Sequence, residues 1–510
     1  MKKILVRSGM SPLDTFSVDE IIRKNTIGNN SGNLIYAYSV FRNMTTKDIE
    51  LISDYYRKNP DDADFINENY DAYILPLANG IRKGFIPSLK KYTALIERLK
   101  IPVYVVGLGM QFPYEPNIRQ SRPFDEDVKN FVKAVLKKSS ILGLRGQITS
   151  DYLSYLGFKE GRDHQVIGCP SMYTFGNNIK IKELNLNNTS SICVNMTPKA
   201  DKEILKFLNK LPHMYNNLNF IPQDIDELVL CYSGFPLPGR SVNTKLNNYP
   251  NNPESYLYKN GKVKYFLNAP TWINFMKSID LSIGTRVHGN IAPTLSGTPS
   301  ITIPIDARMR ELVEYHNLPF VSIQDINKNT HLEDLVEKVD FRSVEKKHKK
   351  NYDNFIDFLD KNGVEHLYDK NSENAQQPLE EKLESIHLKQ FVNPITGCDY
   401  NEVMNRLEKG FSIMLSKSEK TNNTFNKQLK NRNKDIAKLK KDNKKLTNKI
   451  ENLKKDNKKL TNKIENLNKT IINLKDSNKK NTNKLEAKIN KIENSLSWKI
   501  TKPFRRSTKK

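Results

Sequence analysis

The chain has 510 residues, long enough for two or three domains, each with its own core. Its 82 Lys and Arg stand against 57 Asp and Glu, a formal net charge of +25 that invites a nucleic-acid reading. Lys420 to Lys510 alone hold 29 of the basic and only 8 of the acidic residues, so the first 419 are near balance, whereas a specific nucleic-acid binder concentrates positive charge on its folded domain.

Cys169, Cys193, Cys231 and Cys398 form no CxxC pair, which implies neither a disulfide framework nor a structural zinc site. A reducing, cytoplasmic setting is expected. The opening MKKILV resembles a leader only until Arg7, Ser8 and Gly9, and no run approaches the ~18 to 20 apolar residues that cross a bilayer.

Taken in chain order, Lys3 to Arg7 (KILVR) predicts a first strand, and Asn33 to Met44 predicts a helix after the turn at Gly28 to Gly32. Asp71 to Leu77, Pro102 to Leu108 and Ser140 to Leu144 are short apolar runs bounded by turn residues. Ser88 to Leu99 and Asp125 to Lys138 carry apolar residues at helical spacing. After a loop near Gly176 to Asn188 the pattern restarts. Ser191 to Asn195, Glu227 to Tyr232, Val263 to Leu267, Asp280 to Ile283 and Ser300 to Ile303 read as strands, and Ala200 to Leu211 and Thr271 to Lys277 as helices. Strands alternating with such helices predict an α/β class with mostly parallel sheets. Two units of this kind in tandem are expected to face a cleft, with ligands at the carboxyl ends of the strands.

The expected division is a first α/β domain over 1–180 and a second over 189–341, then a polar helical bridge over 342–420 with helices at Asn351 to Leu359 and Tyr400 to Leu415. A coiled coil follows over 421–496 and a basic aromatic tail over 497–510. KKDNKKLTNKIENL at Lys440 to Leu453 repeats letter for letter at Lys454 to Leu467. With Ile436, Ile450, Ile464 and Ile471 at a, every d from Leu439 to Leu474 is Leu, and Asn443, Asn457 and Asn478 also fall at a. Ile at a with Leu at d favours a parallel homodimer. The terminal SWKITKPFRRSTKK interleaves Trp, Ile and Phe with six basic residues, a composition that suits an anionic membrane surface; a solvated dimer rod is the plainer alternative.

The chemistry concentrates in LSIGTRVHGNIAPTLSGTPSITIPIDARMRE, from Leu281 to Glu311. A strand breaks at Gly284 and hands over to a helix, presenting Arg286 and His288 at an N-terminus suited to anions. Arg286 offers a planar fork for carboxylate or phosphate, and His288 can move a proton near neutrality. Arg145, in LRGQITSDYLSYLG, sits at a similar junction in the first half, so two arginines could clamp one small dianion. Downstream, Asp306 and Glu311 are candidate bases and Arg308 a further anion contact; either acid could as well pair with the arginines beside it. The loop GNNSGN at Gly28 to Asn33 lacks GxGxxG and any Lys-Ser/Thr, so no dinucleotide or P-loop signature is present; Asn33, where it enters its helix, is a candidate substrate contact. No histidines are spaced as metal ligands.

GTRVHGNIAPTLSGTPSITIP with DARMREL resembles the C-terminal core of the polysaccharide pyruvyl transferase family. LRGQITSDYLSYLG with IGCPSMYTF is similar to that family's RDxxSxxxLxxxG segment and the Pro-containing stretch after it, and GNNSGNLIYAYSVF to its glycine loop and helix. The likeness spans roughly residues 20 to 325 and departs at Gly146, where the family more often has an acid, and at Thr149, which replaces Ser. It implies two Rossmann-like halves similar to GT-B glycosyltransferases, with no metal or cofactor. It also implies transfer of pyruvate from phosphoenolpyruvate to two sugar hydroxyls, with Arg286, His288 and Arg145 holding the donor. The acceptor would be a surface polysaccharide or its lipid-linked precursor at the inner face of the membrane. A nucleotide-sugar glycosyltransferase is the alternative; nucleic acid is not an expected partner.

Overall fold

Each half of the protein is built on a parallel sheet of short strands. The computed structural model describes residues 1–234, 248–327, 329–367 and 377–495. Met1–Ser416 forms one compact unit and the chain from Lys417 onward a second.

In the first half, β1 (Lys2–Val6), β2 (Ile49–Ser53), β3 (Ala72–Pro76) and β4 (Val103–Val106) pair in the order β2-β1-β3-β4, all parallel. The central strand β3 (AYILP) is buried at every position, as a strand covered on both faces must be. Beyond β4, a two-stranded parallel piece, β5 (Leu142–Leu144) and β6 (His164–Val166), is joined by the Leu108–Leu144 bridge. In the second half, β7 (Ile192–Asn195), β8 (Leu218–Phe220), β9 (Leu281–Gly284) and β10 (Ser300–Thr302) pair in the order β10-β9-β7-β8, again parallel. The chain is thus α/β with two four-stranded parallel sheets in one compact unit.

Two expected strands differ. Glu227 to Tyr232 lies in the helix Ile225–Ser233, because Asp224 and Glu227 form a reciprocal capping box and the apolar run that follows is buried all round, a pattern short helices and buried strands share. Val263 to Leu267 makes only single bridges, Phe220 to Val263 and Tyr265 to Val392, and forms no ladder. Three further strands, β2, β6 and β8, lie outside the expected runs, two of them only three residues long.

The polar segment after Arg342 packs back on the first half. Helix Ser343–Lys361 stacks Phe355 on Tyr173 with ring centroids 4.8 Å apart, and Asn362 donates to the Ile141 carbonyl at 3.1 Å. The last helix runs from Tyr400 to Asn494. The basic aromatic tail expected over 497–510 lies outside the described residues. Among those described, no helix is long and apolar enough to cross a membrane.

Candidate active site

β9 and β7 close on each other where their strands end. A Cβ at Gly284 would lie 1.8 Å from the Asn195 carbonyl oxygen, so only glycine permits the approach. Asn195 then organises the turn: its Oδ1 accepts the Arg286 N–H at 2.7 Å, and its Nδ2 donates to Asn290 Oδ1 at 3.0 Å. Asn290 in turn donates to the Gly284 carbonyl at 3.1 Å, and Thr285 Oγ1 accepts the Thr197 N–H at 2.9 Å. Arg286 is the N-cap of the helix Val287–Leu295, so it and His288 project from a turn held at every polar atom named here.

The Arg286 fork is occupied from within. Its Nη1 and Nη2 donate to the two Asp224 oxygens at 2.8 and 2.5 Å, and its Nε to the Met196 carbonyl at 2.8 Å. Asp224 also accepts from Asn30 Nδ2 at 3.0 Å, which ties the glycine loop of the first half to this pair. Burial opposes ionisation of Asp224, but the Arg286 guanidinium holds it below the ordinary Asp value. Glu227 lies 3.5 Å from Arg286 Nη2, accepts the Gln223 and Asp224 N–H groups, and is bonded by the Tyr249 hydroxyl. Burial pushes Glu227 up, so one Arg and one Asp form the charged pair and Glu227 favours its neutral form.

Asn33 does not reach this pair. Its amide donates to the Ile27 and Gly28 carbonyls at 2.9 and 3.4 Å and closes the loop on itself, which leaves Asn30 to face Asp224.

The junctions that carry Arg145 and His288 do meet, and a residue that sequence reasoning left unassigned stands between them. Arg145 Nη2 donates to Cys169 Sγ at 3.4 Å, and His288 Nε2 lies 3.8 Å from the same sulfur. The Cys169 N–H is fixed by His316 Nε2 at 2.8 Å. Arg145 is 1% exposed, gives Nη1 to the Ala78 carbonyl at 3.0 Å, and keeps a buried Nε without a partner. Gly32 makes room for the imidazole, since a Cβ there would lie 2.7 Å from His288 Nδ1. Burial, then Arg145 and Arg308, push His288 well below the usual imidazole value, so the ring is neutral in the free site.

Asp306 caps the helix Ala307–His316 by accepting the Met309 N–H at 3.0 Å, and Arg308 Nη2 lies 3.3 Å from its other oxygen. Glu311 is buried against the start of the helix Gln147–Tyr155, where it accepts the Thr149 N–H at 3.0 Å and the Thr149 hydroxyl at 2.9 Å. A Cβ at Gly146 would lie 2.5 Å from Glu311 Cβ, so the space after Arg145 is already filled by this side chain. Among the described residues, no three His, Cys, Asp or Glu converge as a metal ion would require.

Burial raises Glu311 to about 8, against which its Thr149 bonds and Arg145 work only in part. A raised folded-state value means that the native state holds a proton the unfolded chain has already lost. The associated stability is complete below about pH 4.3 and is lost as pH rises through about 8. Glu311→Gln is therefore expected to flatten the fall in Tm between about pH 5 and 8. A variant whose Tm falls as steeply as that of the wild type would remove Glu311 as the source.

A profile of the family described as polysaccharide pyruvyl transferase matches residues 30–306, more than half of the chain. No curated protein sequence matches. Among solved structures, an uncharacterized protein from Klebsiella pneumoniae is 13% identical with a TM-score of 0.33, covering 63% of this chain and 92% of that one. UDP-GlcNAc 2-epimerase from Neisseria meningitidis bound to UDP-GlcNAc is 10% identical with a TM-score of 0.35, over 76% and 100% of the two chains. E. coli heptosyltransferase WaaC with ADP is 10% identical with a TM-score of 0.29, over 66% and 98%. None of these overlaps is close enough to carry an argument about fold or chemistry.

Proposed function

The chain belongs to the polysaccharide pyruvyl transferase family and is a transferase, and from that premise we propose that it moves a pyruvyl group from phosphoenolpyruvate onto two hydroxyls of one sugar, releasing phosphate. The observation that carries this reading is the Arg145–Cys169–His288 cluster. A buried arginine and a neutral imidazole, with Arg308 close enough to act on the ring, suit a small dense anion whose carbon must be protonated. Arg286 contributes by holding Asp224 and, through Asn30, the glycine loop.

In the free site burial, together with the two cations, keeps His288 neutral. A donor bringing a phosphate and a carboxylate beside Arg145 and Arg308 would offset them and let the imidazole take up a proton. His288 then gives that proton to the methylene carbon, leaving a cationic centre next to the carboxylate. The first sugar hydroxyl adds there and returns its proton to His288. The second hydroxyl forms the other C–O bond as the bond to phosphate breaks; phosphate leaves with the electron pair and takes that hydroxyl's proton. One proton ends on the new methyl group and one on phosphate. Asp306, tied to its helix cap, is the remaining candidate for orienting a hydroxyl. Phosphoenolpyruvate carries its own leaving group, so the reaction calls on it as a substrate and on no resident cofactor.

The acceptor is a saccharide of a surface polysaccharide, in the lipid-linked form that the basic C-terminal segment would meet at the anionic inner face of a membrane. Incubating the full chain with phosphoenolpyruvate and candidate lipid-linked oligosaccharides is expected to add a pyruvyl mass to one of them and release one phosphate per transfer. Turnover with a nucleotide sugar, and none with phosphoenolpyruvate, would replace this reading with a glycosyltransferase.

A further inference from the structure

Exposed apolar side chains in phase with the repeating segment recur nearer the start of the helix Tyr400–Asn494. Counting the heptad back from Ile436 puts Leu429 and Leu415 at a, and Phe425, Phe411 and Met404 at d, alternating with polar positions, Asn422 and Glu408 at a and Arg432 and Ser418 at d. Met404 and Leu415 belong to the compact unit that ends at Ser416, and there they are 49% and 67% exposed while Ile413 is 1% exposed. In the C-terminal unit the same seam is equally wet, with Leu439 67% and Leu453 60% exposed.

We propose that a second copy of this chain covers the seam from Met404 to Asn478, parallel and in register, so that pairing begins inside the compact unit that carries the site. Residue types favour two parallel strands, with Ile at a and Leu at every d from Leu439 to Leu474. Burying this many Leu, Ile and Met side chains on two chains removes on the order of 2,000 Å² from water, within the range of permanent homodimers. The paired lysines that follow Asn443 and Asn457, Lys444 with Lys445 and Lys458 with Lys459, fall at b and c and stay in solvent. A polyanion or a membrane would engage those lysines and leave the seam exposed.

The 14-residue repeat would let one copy slide by two heptads, but the pattern changes after it. In register, Asn443, Asn457 and Asn478 each face their own counterpart, and the amides satisfy one another. Slid by 14 residues, Asn457 meets Ile471 and Asn478 meets Ile464, leaving buried amides without partners. A slide of one heptad mismatches every Asn.

Sedimentation of the full chain is expected to show a dimer. Mixing Asn443→Cys and Asn457→Cys chains under a mild oxidant should give disulfides within each variant and none between them. Crosslinks between the two variants would overturn the register. A monomer at every concentration, whether or not it binds anionic vesicles, would overturn the dimer. Met404→Lys with Leu415→Lys should raise the dimer dissociation constant at least tenfold at unchanged helicity. An unchanged constant would place the start of pairing beyond Ser416 and overturn that part.

Discussion

His288→Gln is expected to lower phosphate release from phosphoenolpyruvate in the presence of acceptor by about a hundred- to ten-thousandfold, the range lost when a positioned acid–base group is removed. The fold should tolerate it. The imidazole is neutral and buried, its ring packs against Tyr36 at 6.4 Å, and glutamine brings no charge into that space. A second readout separates chemistry from damage. An imidazole whose folded-state pKa is depressed leaves the unfolded chain binding a proton that the native state refuses. Stability is therefore lost as pH falls below about 6.5, and the variant should lose less of it than the wild type. His316, also depressed by burial, keeps part of that slope in both proteins. Wild-type phosphate release by a folded His288→Gln protein would sink the proposed proton transfer.

The turn that holds His288 was legible because its parts are adjacent in sequence. A short apolar strand, a glycine and an Arg-x-His entering a helix identify a strand end, and parallel α/β sheets place ligands at strand ends. Arg145 could be set toward the same place by the same rule, and its junction does meet that of His288. Cys169 could not: it lies in IGCPSMYTF, a stretch that the family resemblance covers, but nothing in that stretch singles out the thiol. It reaches the cluster through the turn at Gly168, whose φ of +74 no side chain adopts readily, and through His316, 147 residues away. Asp224 was hidden by a different ambiguity. Reading Glu227 to Tyr232 as a strand discarded the capping box that would have made Asp224 a helix start facing Arg286. Asn33 and Asn30 share one loop, and composition does not say which amide turns inward to close it.

Arg286→Met is expected to cost about 3 kcal/mol of stability, because it leaves Asp224 without its cation beside a second buried carboxyl group, Glu227. Asp224 is partly open to solvent, so the loss should fall at the low end of what breaking a fully buried pair costs. The sign of its pH dependence follows from the pair. Arg286 depresses the folded-state pKa of Asp224, so the stability it supplies is present above about pH 4 and fades as pH falls through the folded value. The gap between wild type and variant in denaturant unfolding should therefore be widest near neutrality and narrow in acid. Adding Asp224→Asn to Arg286→Met should recover much of the loss, since an amide needs no counter-charge and Asn30 can still bond it. Arg286→Lys keeps the charge but cannot give two parallel bonds to Asp224 and a third to the Met196 carbonyl, so it should fall between the two. If Arg286→Met instead unfolds like the wild type and fails only in binding phosphoenolpyruvate, Arg286 is a direct donor contact and its bond to Asp224 gives way when the donor arrives.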